Sequence, residues 1–179
     1  MNSMGTDIHA VIEYEDEYGM VKAFADGELE IPRDYNLFCA LAFGDGGLVE
    51  TILYPPRGLP SEYSDTVREA YFFFVRDSED ETRGARTGWS ITREQADEWV
   101  REGYSSYIDV DWKQRAYVNS PDLHTASYLN CHEIKAALKH YKLDIQMLSP
   151  VFQATLAAMD ALSKTYGPEK VRLVFWFDN

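Results

Sequence analysis

The feature that most constrains the fold is a nearly all-apolar run close to the end of the chain. It extends from Val171 to Phe177 and carries one charged residue, Arg172. β-Branched and aromatic residues favour a strand. A strand without polar alternation fits best in the middle of a sheet whose two faces are both covered. The run therefore predicts a central strand.

The opening stretch predicts a second strand of a different kind. Polar and apolar residues alternate from Asp7 to Tyr14, so Asp7 and His9 share one face, while Ile8 and Ala10 share the other. A carboxylate and an imidazole thus leave the backbone side by side where the strand begins. This Asp-x-His pair is a candidate metal-binding or acid–base site.

Helix signals lie between these two strands. Capping residues precede helix-like segments at five places, and the clearest are Asn130 with Glu133, and Ser149 with Pro150. Strands and helices do not alternate regularly, which argues against a doubly wound parallel sheet. We therefore expect an α+β fold: a central, mostly antiparallel sheet that contains the first and last strands, with about four helices packed on it.

Length and composition suit one domain. The chain has 179 residues, of which 45% are hydrophobic, and this is enough material for one core over residues 1–179. The charged, glycine-containing stretch near 76–90 is predicted to be a mobile loop.

The formal net charge of −13 limits the partners. It argues against binding of DNA or RNA, because phosphates require lysine and arginine. It leaves open a soluble enzyme, a cation-binding protein or an acidic protein that imitates nucleic acid. We find no bilayer-spanning run or signal peptide, so we expect a cytoplasmic protein without a membrane partner. The aromatic content of 14% leaves a homo-oligomer open.

A second Asp-x-His pair, Asp122 and His124, occurs in a polar segment without helical or strand periodicity. We predict that this loop folds over the end of the first strand. Asp7, His9, Asp122 and His124 are then the candidate catalytic residues.

A metal would have a related ligand set. We predict Asp7, His9, His124 and, if the last strand lies beside the first, Asp178 as ligands of Mn²⁺, Zn²⁺ or Mg²⁺. The structural alternative is that His124 only bonds a backbone carbonyl.

The proline-rich segment Tyr54 to Pro60 holds Arg57 in a restricted backbone. A guanidinium matches phosphate oxygens, so Arg57 is a candidate anion clamp. Ser127 and Tyr128 complete the predicted substrate-binding set, with Tyr128 available to stack on a base. The alternative is a rigid surface connection with a solvated arginine.

Four segments together resemble a family of small proteins of tailed bacteriophages and prophages. They are Met4-Gly5-Thr6-Asp7-Ile8-His9, Pro56-Arg57-Gly58-Leu59-Pro60, Asp122-Leu123-His124-Thr125-Ala126-Ser127-Tyr128-Leu129 and Phe175-Trp176-Phe177-Asp178-Asn179. Relatives often carry Cys in place of Thr6 and Trp in place of Tyr128. The resemblance implies a phage accessory protein in the host cytoplasm and supplies no established reaction.

A weaker similarity is to calcineurin-like metallophosphoesterases. Asp7-Ile8-His9 and Gly44-Asp45 match their first two metal motifs. The segment Asn130-Cys131-His132-Glu133 has one residue inserted into the third motif, and the final Gly-His-x-His is missing. The similarity is therefore one of chemistry.

Three functions remain open from the sequence. The first is metal-assisted hydrolysis of a small nucleotide, such as a host immune signal, with Arg57 holding phosphate. The second is sequestration of that nucleotide without catalysis. The third is an acidic inhibitor that covers a basic surface of a host defence factor.

Overall fold

The computed structural model describes residues 7–44, 51–76, 90–110 and 115–178. The strands, numbered in chain order, are β1 (Ile8–Glu15), β2 (Val21–Ala23), β3 (Leu29–Ile31), β4 (Phe72–Arg76), β5 (Ser90–Thr92), β6 (Tyr107–Val110), β7 (Arg115–Asn119), β8 (Leu123–Asn130) and β9 (Val171–Asp178). The helices are α1 (Tyr35–Phe38), which continues as a π-helical stretch (Cys39–Phe43), α2 (Asp65–Tyr71), α3 (Arg93–Arg101), α4 (Cys131–His140) and α5 (Pro150–Tyr166), with short 3₁₀ turns at Ile145–Met147 and Pro168–Lys170.

The central sheet has the order β2-β1-β9-β8, and β3 pairs with the first half of β1. Its neighbouring strands are all antiparallel. The first and last strands lie side by side, with Ile8 opposite Phe177 and Tyr14 opposite Val171. The predicted α+β class, with an antiparallel sheet that holds both terminal strands, is confirmed.

One face of this sheet is covered by helices. Phe175 and Phe177 of β9 pack there against Phe38 of α1 and Phe152 of α5, and Phe152, Phe175 and Phe177 are fully buried. The capping signals act as predicted, since Asn130 and Glu133 form a reciprocal capping box.

The other face carries a smaller apolar cluster beneath α2. Val11, Val174 and Trp176 are buried with Val67 of α2. Glu13 lies on this face as well and is fully buried. Ser64 donates its backbone N–H and Arg172 its Nε–H to the carboxylate, and these bonds offset the cost of burying it. Both faces of β9 are thus covered, as its apolar sequence requires.

A second sheet has the order β5-β4-β7-β6. The pairing of β4 with β5 is parallel, and the other two pairings are antiparallel. Its apolar cluster includes Val75, Ile91, Ala96 and Val118.

The structure corrects the prediction for the segment that holds the second Asp-x-His pair. Residues 123–130 form the strand β8, whereas the sequence predicted that Asp122 and His124 lie in a loop. A register shift between His124 and Ser127 interrupts the strand, and Thr125 there has a φ of 55°. Such a bulge removes the period-two pattern by which a strand is recognised.

Most of the predicted mobile loop near 76–90 lies outside the described residues. Within the described ranges, the helices are too short or too polar to cross a bilayer.

Candidate functional site

His9 lies between two carboxylates at one end of the central sheet. Its Nδ1 is 3.1 Å from Oε2 of Glu28, and its Nε2 is 3.2 Å from Oδ2 of Asp178, the latter without an aligned hydrogen bond. The imidazole stacks on Trp176 with a centroid distance of 6.0 Å and an interplanar angle of 5°. The predicted approach of Asp178 to the first strand is therefore present in the structure.

The carboxylates favour the protonated imidazole. The hydrogen bond to Glu28 is the largest influence and raises the pKa of His9 above its usual value. Burial opposes this shift, and the charges of Glu28 and Asp178 add to it. The His9 side chain is 25% exposed, so the charge remains partly solvated.

The two aspartates at this end of the sheet, Asp7 and Asp178, also have hydrogen-bond partners within the protein. The backbone N–H of Asp7 donates to Oδ1 of Asp178 at 3.1 Å. The Asp7 carboxylate accepts hydrogen bonds from Nε and Nη2 of Arg33, at 3.0 and 2.7 Å. Asp7 and Asp178 therefore both have partners within the protein.

This arrangement does not fit a metal ion. The carboxylates of Glu28 and Asp178 approach different nitrogens, at opposite edges of the His9 ring. A single ion would need these oxygens on the same side as one nitrogen. Over the described residues, no group of three or more histidine, cysteine or acidic side chains is placed to hold a metal.

His124 lies on the other face of the sheet. It is opposite Phe177 in β9 and stacks on that ring, with a centroid distance of 6.2 Å. Its ring also contacts the edge of Phe38 on the helical side. Its Nδ1 is 2.7 Å from the hydroxyl of Thr125, and its Nε2 is buried without a partner.

The register separates the two predicted pairs. His9 is opposite Trp176, and His124 is opposite the next residue, Phe177. Consecutive side chains of a strand point to opposite faces, so the two imidazoles lie on opposite sides of β9. The prediction that both Asp-x-His pairs share one pocket is wrong. Asp122 is exposed and immediately precedes β8. Because the two imidazoles are separated, there is no common site of His9 and His124 to which its carboxylate could contribute.

Arg57 is held by groups of the protein itself. Its guanidinium bonds both carboxylate oxygens of Glu133, at 3.2 and 2.6 Å, and lies over the rings of Tyr54 and Tyr128, at 5.6 and 5.5 Å. Burial alone would raise the pKa of Glu133, but Arg57 and the N–H of Asn130 lower it below its usual value. The guanidinium that the sequence predicted as an anion clamp is therefore already engaged within the protein. In this structure Arg57 joins its own segment to Tyr128 of β8 and Glu133 of α4.

Ser127 and Tyr128 have structural partners too. The buried Ser127 hydroxyl accepts the backbone N–H of Arg57 at 3.2 Å. The Tyr128 ring is contacted by the guanidinium groups of Arg57 and Arg172, each at about 5.5 Å. A base that stacked on Tyr128 would compete with these cations for the ring.

Sequence reasoning missed Glu28 and Glu133 as the partners of His9 and Arg57. The dipeptide Asp26-Gly27 is typical of a tight turn and indicates that the following residues return along β1, which brings Glu28 near His9. Glu133 was recognised only as a helix-capping residue.

Comparisons with known proteins give no further guide, because no protein-family model, curated protein or solved structure matches this chain.

Proposed function

We propose that this chain is an accessory protein of tailed bacteriophages that acts in the host cytoplasm by binding a basic partner protein, without catalysis. The observation that carries the proposal is the separation of His9 and His124 by the central sheet. It removes the common pocket on which the hydrolase hypothesis depends.

The distribution of charge favours a protein partner. The net charge is −13, and the turn that joins β1 to β2 contains Asp16 and Glu17. They follow Glu15, the last residue of β1, which is paired with Lys170 at 2.9 Å. Two large side chains protrude beside these acids, since Tyr18 is 82% exposed and Met20 is 56% exposed. Aromatic residues and methionine are enriched in protein interfaces, and acidic surroundings select a basic partner. We name residues 15–20 the hairpin tip.

The phage assignment rests on the four segments that carry the sequence resemblance. They meet in the central sheet, where Ile8 lies opposite Phe177, Leu123 lies opposite Asp178, and Gly58 donates its N–H to the carbonyl of Ala126. In this reading the shared segments maintain the fold, and the hairpin tip makes the contact with the partner.

Binding is tested with a short peptide of alternating lysine and valine and two variants of equal charge change. Glu17→Lys with Asp26→Lys alters residues that flank β2 on its two sides, whereas Glu98→Lys with Glu102→Lys alters exposed residues at and just after the end of α3. We expect the first variant to weaken binding about tenfold or more and the second to change it much less. Equal loss in both would show only an effect of net charge and would contradict the proposal.

Catalysis is tested separately with linear and cyclic nucleotides, with and without Mn²⁺. We expect neither cleavage nor retention of nucleotide. Cleavage that EDTA abolishes and that His9→Ala removes in a folded protein would overturn the proposal and restore the hydrolase hypothesis.

A further inference from the structure

An open groove lies beside β2, at the edge of the central sheet. The β2 strand and its flanking residues form one wall, and residues 62–66 with Arg68 form the other. Its volume is about 490 Å³, which is within the range of sites that bind ligands and peptide side chains. We call it the edge groove. Among the described residues, β2 pairs only with β1, so its second edge faces this space.

The register shows which backbone groups point into the edge groove. Phe24 donates its N–H to the carbonyl of Ile12 at 2.9 Å, and Asp16 donates to the carbonyl of Met20 at 3.0 Å. Residues 20, 22 and 24 therefore bond to β1. In an antiparallel pair the alternate residues turn their N–H and C=O groups outward. Val21 and Ala23 thus present two donors and two acceptors along the outer edge.

The side chains around this edge favour a basic occupant. The lining carries the carboxylates of Asp26, Glu62 and Asp65 against the cations of Lys22 and Arg68. Arg68 is already paired with Asp65 at 2.6 Å. The acidic residues of the hairpin tip continue the negative surface at one end of the groove, beside the exposed Tyr18.

We propose that an extended, basic segment of a partner protein adds as a strand to β2 in the edge groove. Its backbone bonds to Val21 and Ala23, and its lysine or arginine side chains reach Asp26 and Glu62. This mode of binding takes affinity from main-chain hydrogen bonds and specificity from alternate side chains. An unpaired edge strand is the usual template for such addition. The inference rests on the proposed function, because it locates the contact with the basic partner.

The test uses the full chain and the peptide of alternating lysine and valine, together with the same peptide N-methylated at alternate residues. N-methylation removes the donors that pair with β2 and leaves the charge unchanged. We expect it to weaken binding about tenfold, since about two backbone hydrogen bonds are lost. In the complex with the unmodified peptide, the amide signals of Val21 and Ala23 should shift in NMR spectra.

A matched backbone variant tests the same contact from the protein side. Val21→Pro removes an outward N–H and leaves the bonds to β1 in place, since proline is tolerated on an edge strand whose N–H faces outward. It should reproduce the loss seen with the N-methylated peptide. If Val21→Pro does not fold, the two peptides decide the question alone.

The outcomes separate the two proposals. If both peptides bind equally tightly and charge reversal at Glu17 and Asp26 still weakens binding, strand addition is overturned and the binding function stands. If neither peptide binds, both proposals fail.

Discussion

His9 and Glu13 illustrate how one face of a strand can carry charged groups into a folded structure. Each charge has a specific partner: Glu28 and Asp178 for His9, and Arg172 for Glu13. Glu13 is fully buried, whereas His9 remains partly exposed. The two residues should therefore respond differently when a partner is removed.

Replacing the partner of Glu13 should cause a large loss of stability. Arg172→Met leaves a buried carboxylate without its cation, and we expect the free energy of unfolding to fall by about 3 kcal/mol or more. The control is Lys135→Met, which breaks the Lys135–Asp160 pair, whose side chains are 40% and 44% exposed. That pair should contribute less than about 1 kcal/mol. Chemical denaturation of both variants measures the difference, and similar losses would contradict this account.

The contribution of His9 should depend on pH. Its pKa is raised in the folded protein, so protonation stabilises the fold. This stabilisation is complete below the unfolded pKa of about 6.5 and is lost as the pH rises through the higher folded pKa. His9→Gln should therefore destabilise by about 1 kcal/mol near pH 6 and by less near pH 9. Denaturation of wild type and variant at both pH values checks this, and Glu28→Gln should shrink the difference. A constant difference would contradict it.

At the scale of elements, α4 shows how sequence and backbone conformation can disagree. The helix ends at His140, and Lys142 follows with a φ of 54°. Its N–H bonds to the carbonyl of Lys139, and that of Leu143 bonds to Leu138. Glycine is the residue that usually occupies this left-handed position after a helix, because a side chain is strained there.

The same substitution should therefore have opposite effects at two neighbouring lysines. Lys142→Gly relieves the left-handed strain, and we expect a gain of about 0.5 to 1 kcal/mol in the free energy of unfolding. Lys139→Gly, inside the last turn of α4, should lose about 1 kcal/mol. Thermal denaturation of the two variants is the measurement. Destabilisation by both would show that position 142 is not left-handed in solution.

At the scale of the whole molecule, the net charge of −13 sets how a partner approaches. The hairpin tip joins the edge groove through Gly19 and Met20, so its acidic residues lie next to the proposed contact and add to the attraction for a basic partner there. Such a field mainly raises the association rate, because it acts before the surfaces meet.

Salt should therefore slow association more than it speeds dissociation. For the lysine–valine peptide, we expect the association rate constant to fall about tenfold when the ionic strength rises from about 0.01 M to 0.3 M, since the Debye length shortens from about 30 Å to under 10 Å. The dissociation rate should change much less. Stopped-flow or surface-binding kinetics would measure both, and an association rate insensitive to salt would contradict electrostatic steering.

The central position of β9 could be predicted because its apolar run fits only between two covered faces. The helix starts at Asn130 and Ser149 followed from their caps. The strand β8 could not be recognised, since the bulge at Thr125 hides its alternation. The relation of His9 to His124 could not be predicted either, because a register shift of one residue moves a side chain to the opposite face.

The central claim is that the sheet separates the two Asp-x-His pairs and that they form no common metal centre. It is tested most directly by titrating Zn²⁺ into the protein while the imidazole signals of His9 and His124 are followed by NMR. We predict that the two signals do not change together at an equimolar ratio of Zn²⁺ to protein. Saturation of both imidazoles by one equivalent of Zn²⁺ would contradict the account.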